Sequence, residues 1–230
     1  TAFNANWRTE KWNLFTNTGF RYNETPGNAF SDSDFLSNTA QNAKVIENRN
    51  FGRLGRSAFT SFGAEYYLTE NSSIIGNIIF NGGNDDDVNT NKIERFNVLG
   101  DLNEATFRTE SESESEQRIQ YTLDYVNNFD DNGKKLSING QYSSEIENDL
   151  NDITEIDTQV NLLNDLEQVL ENQNENSGLL QIDYVNSVGE NIQYEAGYRA
   201  NYRDIFNSFY LAEREDFENN GPLIPDTGLN

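Results

Sequence analysis

The chain contains no cysteine, no histidine and no methionine. Without Cys there is no disulfide and no thiolate nucleophile. Without His there is no imidazole base, and the two absences together remove every usual zinc site. With no Met at residue 1 and no charged, apolar, small-residue leader, the sequence reads as a piece of a longer mature protein. No run approaches about eighteen consecutive apolar residues, which excludes a transmembrane helix. It does not exclude a transmembrane β-barrel, whose strands alternate lipid-facing and lumen-facing residues so that hydropathy averages out. Cations are scarce, with 16 Lys and Arg against 39 Asp and Glu, a net charge of −23 over 230 residues. Nucleic-acid binding through phosphates and polybasic anchoring to a membrane surface both need the opposite sign. What is present is aromatic: 12% of the chain, including 11 Tyr and 15 Phe, despite a mean hydropathy of −0.79. Disordered chains are poor in aromatics, so a fold is expected.

The aromatics fall on a period of two. From Ile192 to Tyr202 every even position is apolar or aromatic, and Gln193, Glu195, Arg199 and Asn201 lie between them. This is a strand with one greasy and one wet face. A helix would scatter Ile192, Ala196 and Ala200 away from the tyrosines and leave no single stripe. Leu180, Ile182 and Tyr184 give the strand a partner across Gly189-Glu190-Asn191. Three similar hairpins precede it, over about 2–23, 54–81 and 117–147. The third turns at Asp130-Asp131-Asn132-Gly133, a strong hairpin signal. The tight turns centre near residues 10, 71, 131 and 189, about 60 residues apart. Between hairpins, long loops are expected over about 24–53, 82–116, 148–177 and 205–230. Within the third, Val160, Leu163, Leu166 and Leu170 fit a short helix.

Short turns at one end and long loops at the other predict an all-β, antiparallel transmembrane barrel with short periplasmic turns and long extracellular loops. Aromatics near every short turn predict a membrane-interface belt of Trp7, Trp12, Tyr66, Tyr125, Phe129, Tyr184 and Tyr194. The polar parity predicts lumen-facing Arg21, Glu65, Asp124, Gln141, Asp183, Glu195 and Arg199, together with Asn17, Gln120, Asn139 and Gln181.

The segments NWRTEKWNLFTNTGFRYNETPGN, AEYYLTENSSI, NFDDNGKKLSINGQYS and DYVNSVGENIQYEAGYR resemble successive wall segments of the outer-membrane β-barrel family of TonB-dependent receptors. The resemblance covers nearly the whole chain, in short, degenerate motifs. It implies a barrel of about 22 strands filled by an N-terminal plug, of which this chain would supply about eight strands and no plug. It also implies an integral outer-membrane location in a Gram-negative bacterium. The partners it implies are membrane lipid and a TonB-type energy-coupling protein acting through the absent plug. A surface lipoprotein or other subunits of an outer-membrane complex are further expected partners.

The acidic charge is localised. Residues 83–116 hold ten carboxylates against Lys92, Arg95 and Arg108, and residues 145–175 hold ten more with no cation. With the hairpin turn setting the register, Arg118 falls opposite Glu145 and Glu116 opposite Glu147. Like charges opposed across a ladder repel. Either water solvates them or a cation neutralises them, and oxygen-rich Glu114, Glu116 and Glu147 are the Ca²⁺ candidates. A solvated rim is the simpler reading, and no other cofactor is expected. No catalytic residues are assigned, since most triads and dyads need His or Cys. The expected function is ligand uptake as a barrel-wall segment of a TonB-dependent receptor. A non-transporting barrel serving as scaffold or assembly component is the alternative, and a secreted, soluble β-sandwich adhesin is a third.

Overall fold

The computed structural model describes all residues except 37–42, 131–132, 189–191, 215–222 and 226–230. They form one antiparallel sheet in which every strand neighbours the next in sequence. The strands are β1 (Ala2–Arg8), β2 (Trp12–Asp34), β3 (Lys44–Thr69), β4 (Ser72–Phe96), β5 (Leu102–Asn128), β6 (Lys135–Asp157), β7 (Leu162–Val188), β8 (Ile192–Glu213) and the two-residue β9 (Ile224–Pro225). Among the described residues β1 pairs with β2 alone and β9 with β8 alone, so the sheet is open. A β-sandwich needs two sheets face to face. Here there is one, and the soluble adhesin reading loses its architecture.

The alternation seen in the sequence becomes two distinct faces. One cross-strand row runs Trp12, Tyr66, Ile74, Tyr125, Ile138, Ile182, Tyr198. Two residues further along on the same face lie Thr16, Phe62, Ile78, Tyr121, Tyr142, Gly178 and Tyr202 after the row of Leu14, Leu123 and Leu180. These side chains are exposed or half-buried, with Phe62, Tyr198 and Tyr202 all above half their full accessibility. Among the described residues the buried apolar side chains are Ala105, Ile153 and Ala212. The greasy face therefore has no second protein layer to cover it among the described residues.

The ladder ends are staggered. The first hairpin's ladder stops at Arg8–Asn13, adjacent to the Trp12 row, whereas the fourth runs past that row from Ile182 to Val188. The opposite end drifts the same way. The β2–β3 ladder reaches Asp34–Lys44, but β7–β8 ends at Glu167–Glu213, in the row of Gly27 and Phe51. Both ends step by about one residue per strand, which is the shear of tilted strands in a barrel wall.

Two expectations need correction. The polar stretches assigned to long loops are mostly strand: β2 continues to Asp34, β4 to Phe96, β6 to Asp157 and β8 to Glu213, and β3, β5 and β7 begin well inside them. The connections at 97–101 and 158–161 are short, while residues 37–42 and 215–222 lie outside the described residues. Hydrophobic period detects a strand only where one face is steadily greasy, and stretches such as Glu110 to Glu114 are polar on both parities. Ladder hydrogen bonds on both sides hold these segments extended regardless of side-chain polarity. The predicted helix is likewise β7. Leu166 pairs with Thr154 and Leu170 with Leu150, and a register shift near Glu155 and Ile156 absorbs the irregular spacing of Leu162 and Leu163. A lone helix of three turns is marginal in water, whereas β7 is paired on both edges. The Gly189-Glu190-Asn191 turn, and Asp131 and Asn132 of the third, lie outside the described residues.

Candidate functional site

The face opposite the aromatic one gathers the polar residues that the sequence singled out. Glu65, Asp124, Asn139, Gln181 and Arg199 form one cross-strand row with Asn13 and Ile75. Gln141 lies one row further from the short turns on that face, and Asp183 and Glu195 lie nearer them. Arg21 lies further out, in the row of Ser57, Gly83, Glu116 and Glu147. Asn17 and Gln120 share an intermediate row. Local bonds fix several of them. Tyr67 Oη donates to Glu65 at 2.9 Å, Gln181 Nε2 to Asp183 at 2.7 Å, Gln193 Nε2 to Glu195 at 2.8 Å, and Asn139 Nδ2 to Asp124.

The proposed belt residues take the other face. Trp12, Tyr66 and Tyr125 share one row, with the Trp12 and Tyr66 rings 4.6 Å apart. Trp7 pairs with Leu14, one row further from the turns, while Tyr184 and Tyr194 lie in successive rows nearer to them. The drift follows the stagger of the ladder ends. Phe129 sits just past β5, its amide donating to the Lys134 carbonyl and its ring beneath the Lys134 ammonium at 5.3 Å.

Past the aromatic rows, the polar face becomes a field of carboxylates. Asp85, Glu114, Asp149 and Glu171 are register partners in a single row. Asp87 and Glu112 flank it on one side, and Glu116 and Glu147 on the other. Arg118 stands opposite Glu145 and Glu116 opposite Glu147, as the sequence register predicted. Cations answer only part of the charge. Arg53 reaches Asp87 at 3.3 Å, Arg118 reaches Glu145 at 3.7 Å, and Arg203 grips Glu175 through two bonds of 2.9 and 2.8 Å. Partial burial, then repulsion from Glu147 and Asp85, pushes the Glu114 carboxyl up from its ordinary value. Burial and Asp149 do the same to Glu112.

The three Ca²⁺ candidates are not brought to a point. Glu116 opposes Glu147, but Glu114 pairs with Asp149. Among the described residues no three carboxylates gather as a metal site would require. Side chains on one sheet face stand parallel to each other about 5–7 Å apart, whereas Ca²⁺ ligands must converge to about 2.5 Å from the ion.

Sequence reasoning missed how aromatics and glycines fit together on the polar face. Phe15 lies over Gly63, and Phe51 over Gly27, so closely that a Cβ at either glycine would fall 2.2 Å from the ring. Each pair is a register partnership, Phe15–Gly63 and Gly27–Phe51, with the residues far apart in sequence. Cavities of about 430, 500 and 260 Å³ also open on this face.

An open, sheared meander with one aromatic face, one polar face and almost no core is the wall of a membrane β-barrel. Residues 127–230 match a family described as the outer membrane protein beta-barrel family. The chain is accordingly integral to the outer membrane. No curated protein and no solved structure matches it.

Proposed function

We propose that the chain is a wall segment of a TonB-dependent outer-membrane receptor that takes up a ligand. The observation carrying this reading is the open, sheared sheet. A barrel of eight strands would pair its first long strand with its last, but β2 and β8 do not meet among the described residues. The wall therefore fits a barrel of the larger class, where lumens are wide enough to be plugged. In this reading the aromatic face contacts lipid, the belt marks the periplasmic interface, and the polar face lines the lumen and holds the plug. From Trp12 to Phe20 the greasy face spans about 27 Å along the strand, or about 20 Å of height at the usual tilt, near the ~25 Å apolar band of such barrels. β5, with 27 residues, is about 90 Å long, so most of it rises outside the membrane.

That rise favours the second reading, a non-transporting scaffold whose extracellular sheet carries partner subunits. The test uses the full-length protein in detergent and the periplasmic domain of a TonB-type coupling protein. Saturable binding, abolished by deleting the plug segment this reading requires, supports energy-coupled uptake. No binding of the intact protein leaves the scaffold.

A further inference from the structure

The cavity of about 430 Å³ on the polar face has walls of opposite charge. On one side stand Arg21 of β2 and Arg53 of β3, and on the other Asp85 of β4 and Glu114 of β5. Its floor is kept low by Gly55, where a Cβ would fall 2.6 Å from Asp85 Oδ1. Any side chain there would drive the Asp85 carboxylate out of its place. Arg53 is engaged by Asp87, but Arg21 has no hydrogen bond or ion pair among the described residues. Asp85 and Glu114 are direct register partners with no cation bonded to either among the described residues. The cavity therefore offers an unanswered guanidinium facing an unanswered carboxylate pair across the strands. Burial and neighbouring carboxylates already raise the Glu114 carboxyl, so an added cation there relieves repulsion.

The sheet sets the distance between the poles. Arg21 lies two strand spacings from Asp85 and three from Glu114, and two residues nearer the short turns, so their Cα atoms stand about 12–16 Å apart and the side chains reach toward each other across that gap. An extended peptide spans about 3.5 Å per residue, so one of three or four residues carries its ammonium and carboxylate that far apart.

We propose that this cavity is a binding subsite for short zwitterionic peptides, with Arg21 taking the C-terminal carboxylate and Asp85 with Glu114 taking the N-terminal ammonium. The proposal rests on the polar face being the aqueous one, as in the reading above. It does not require energy coupling, so loss of TonB binding would leave it standing.

The test is calorimetric titration of the full-length protein in detergent with trialanine, N-acetyl-trialanine and trialanine amide. Saturable binding of trialanine is expected, weakened at least about tenfold by blocking either end, since each block removes one charge-assisted contact. Arg21→Gln should weaken trialanine while leaving trialanine amide unchanged, and Glu114→Gln should weaken trialanine while leaving the N-acetyl peptide unchanged. Neither substitution alters the backbone ladder, and the protein's heat-modified gel mobility reports that the barrel is intact. No saturable binding, or affinity indifferent to both blocks, overturns the proposal.

Discussion

Tyr198 and Arg199 are neighbours in sequence and opposites in environment. Tyr198 belongs to the row of Trp12, Tyr66 and Tyr125, and Arg199 to the row of Glu65 and Asp124. Because the rows drift across the sheet, Tyr198 lies two rows inward of the belt residue Tyr194 on its own strand, where a cation on the lipid face costs about 2–4 kcal/mol. Tyr198→Arg should therefore lower barrel stability by that amount in a urea-folding titration into vesicles, and Arg199→Ala should cost well under half of it. Glu114 yields a second prediction at this scale, outside the membrane. Its carboxyl is raised in the folded protein, so the folded state holds the proton more tightly than the unfolded chain. Between the ordinary Glu value of about 4.3 and the raised folded value, stability falls as pH rises, and the full penalty stands above both. Amide exchange along 110–116 should slow as the pH is lowered from 7 toward the ordinary Glu value of about 4.3, after correction for intrinsic rates. Glu114→Gln should slow it at pH 7 and flatten its pH dependence. No difference between variant and parent at pH 7 would remove the repulsion argument.

At the scale of the element, the short-turn half of each hairpin was legible because lipid and water on opposite faces write a period of two into the sequence. The outer half was not. In Glu110-Ser111-Glu112-Ser113-Glu114 both faces are polar, and the strand exists because Asp86 and Leu150 ladder to Ser113 from either side. That pairing is non-local, and composition gives no hint of it. The glycine–aromatic pairs were invisible for the same reason, since Phe15 meets Gly63 only after the register is known. Their packing makes a prediction. Gly63→Ala must displace the Phe15 ring and should cost about 1 kcal/mol through the lost rotamer and ring cover. Gly76→Ala, where a Cβ has open space, should be neutral or slightly stabilising. Equal effects in the same folding titration would show that Phe15 does not depend on the missing Cβ.

For the whole molecule, the sequence held the class and the two-faced sheet but not the shape of its outer half. The register predicted Arg118 opposite Glu145, as the ladder has it, and the residues proposed for the lumen all fall on one face of the sheet. The rim is a different object from the expected loops: a tall continuation of the wall, carrying its carboxylates in fixed rows. A rigid acidic wall presents a fixed charge pattern to whatever approaches the lumen, which a set of mobile loops would not. These 230 residues contain no cysteine, so on a background cleared of any cysteine elsewhere the account's central claim is directly measurable. In single-cysteine variants of the full-length protein in outer-membrane vesicles, a membrane-impermeant maleimide should label Gln193→Cys, Glu195→Cys, Arg199→Cys and Asn201→Cys once the lumen is opened to solvent. It should spare Tyr194→Cys, Tyr198→Cys and Tyr202→Cys, which a lipid-soluble maleimide should label instead. Uniform labelling of odd and even positions by the impermeant reagent would contradict the assignment of one face to lipid and the other to water.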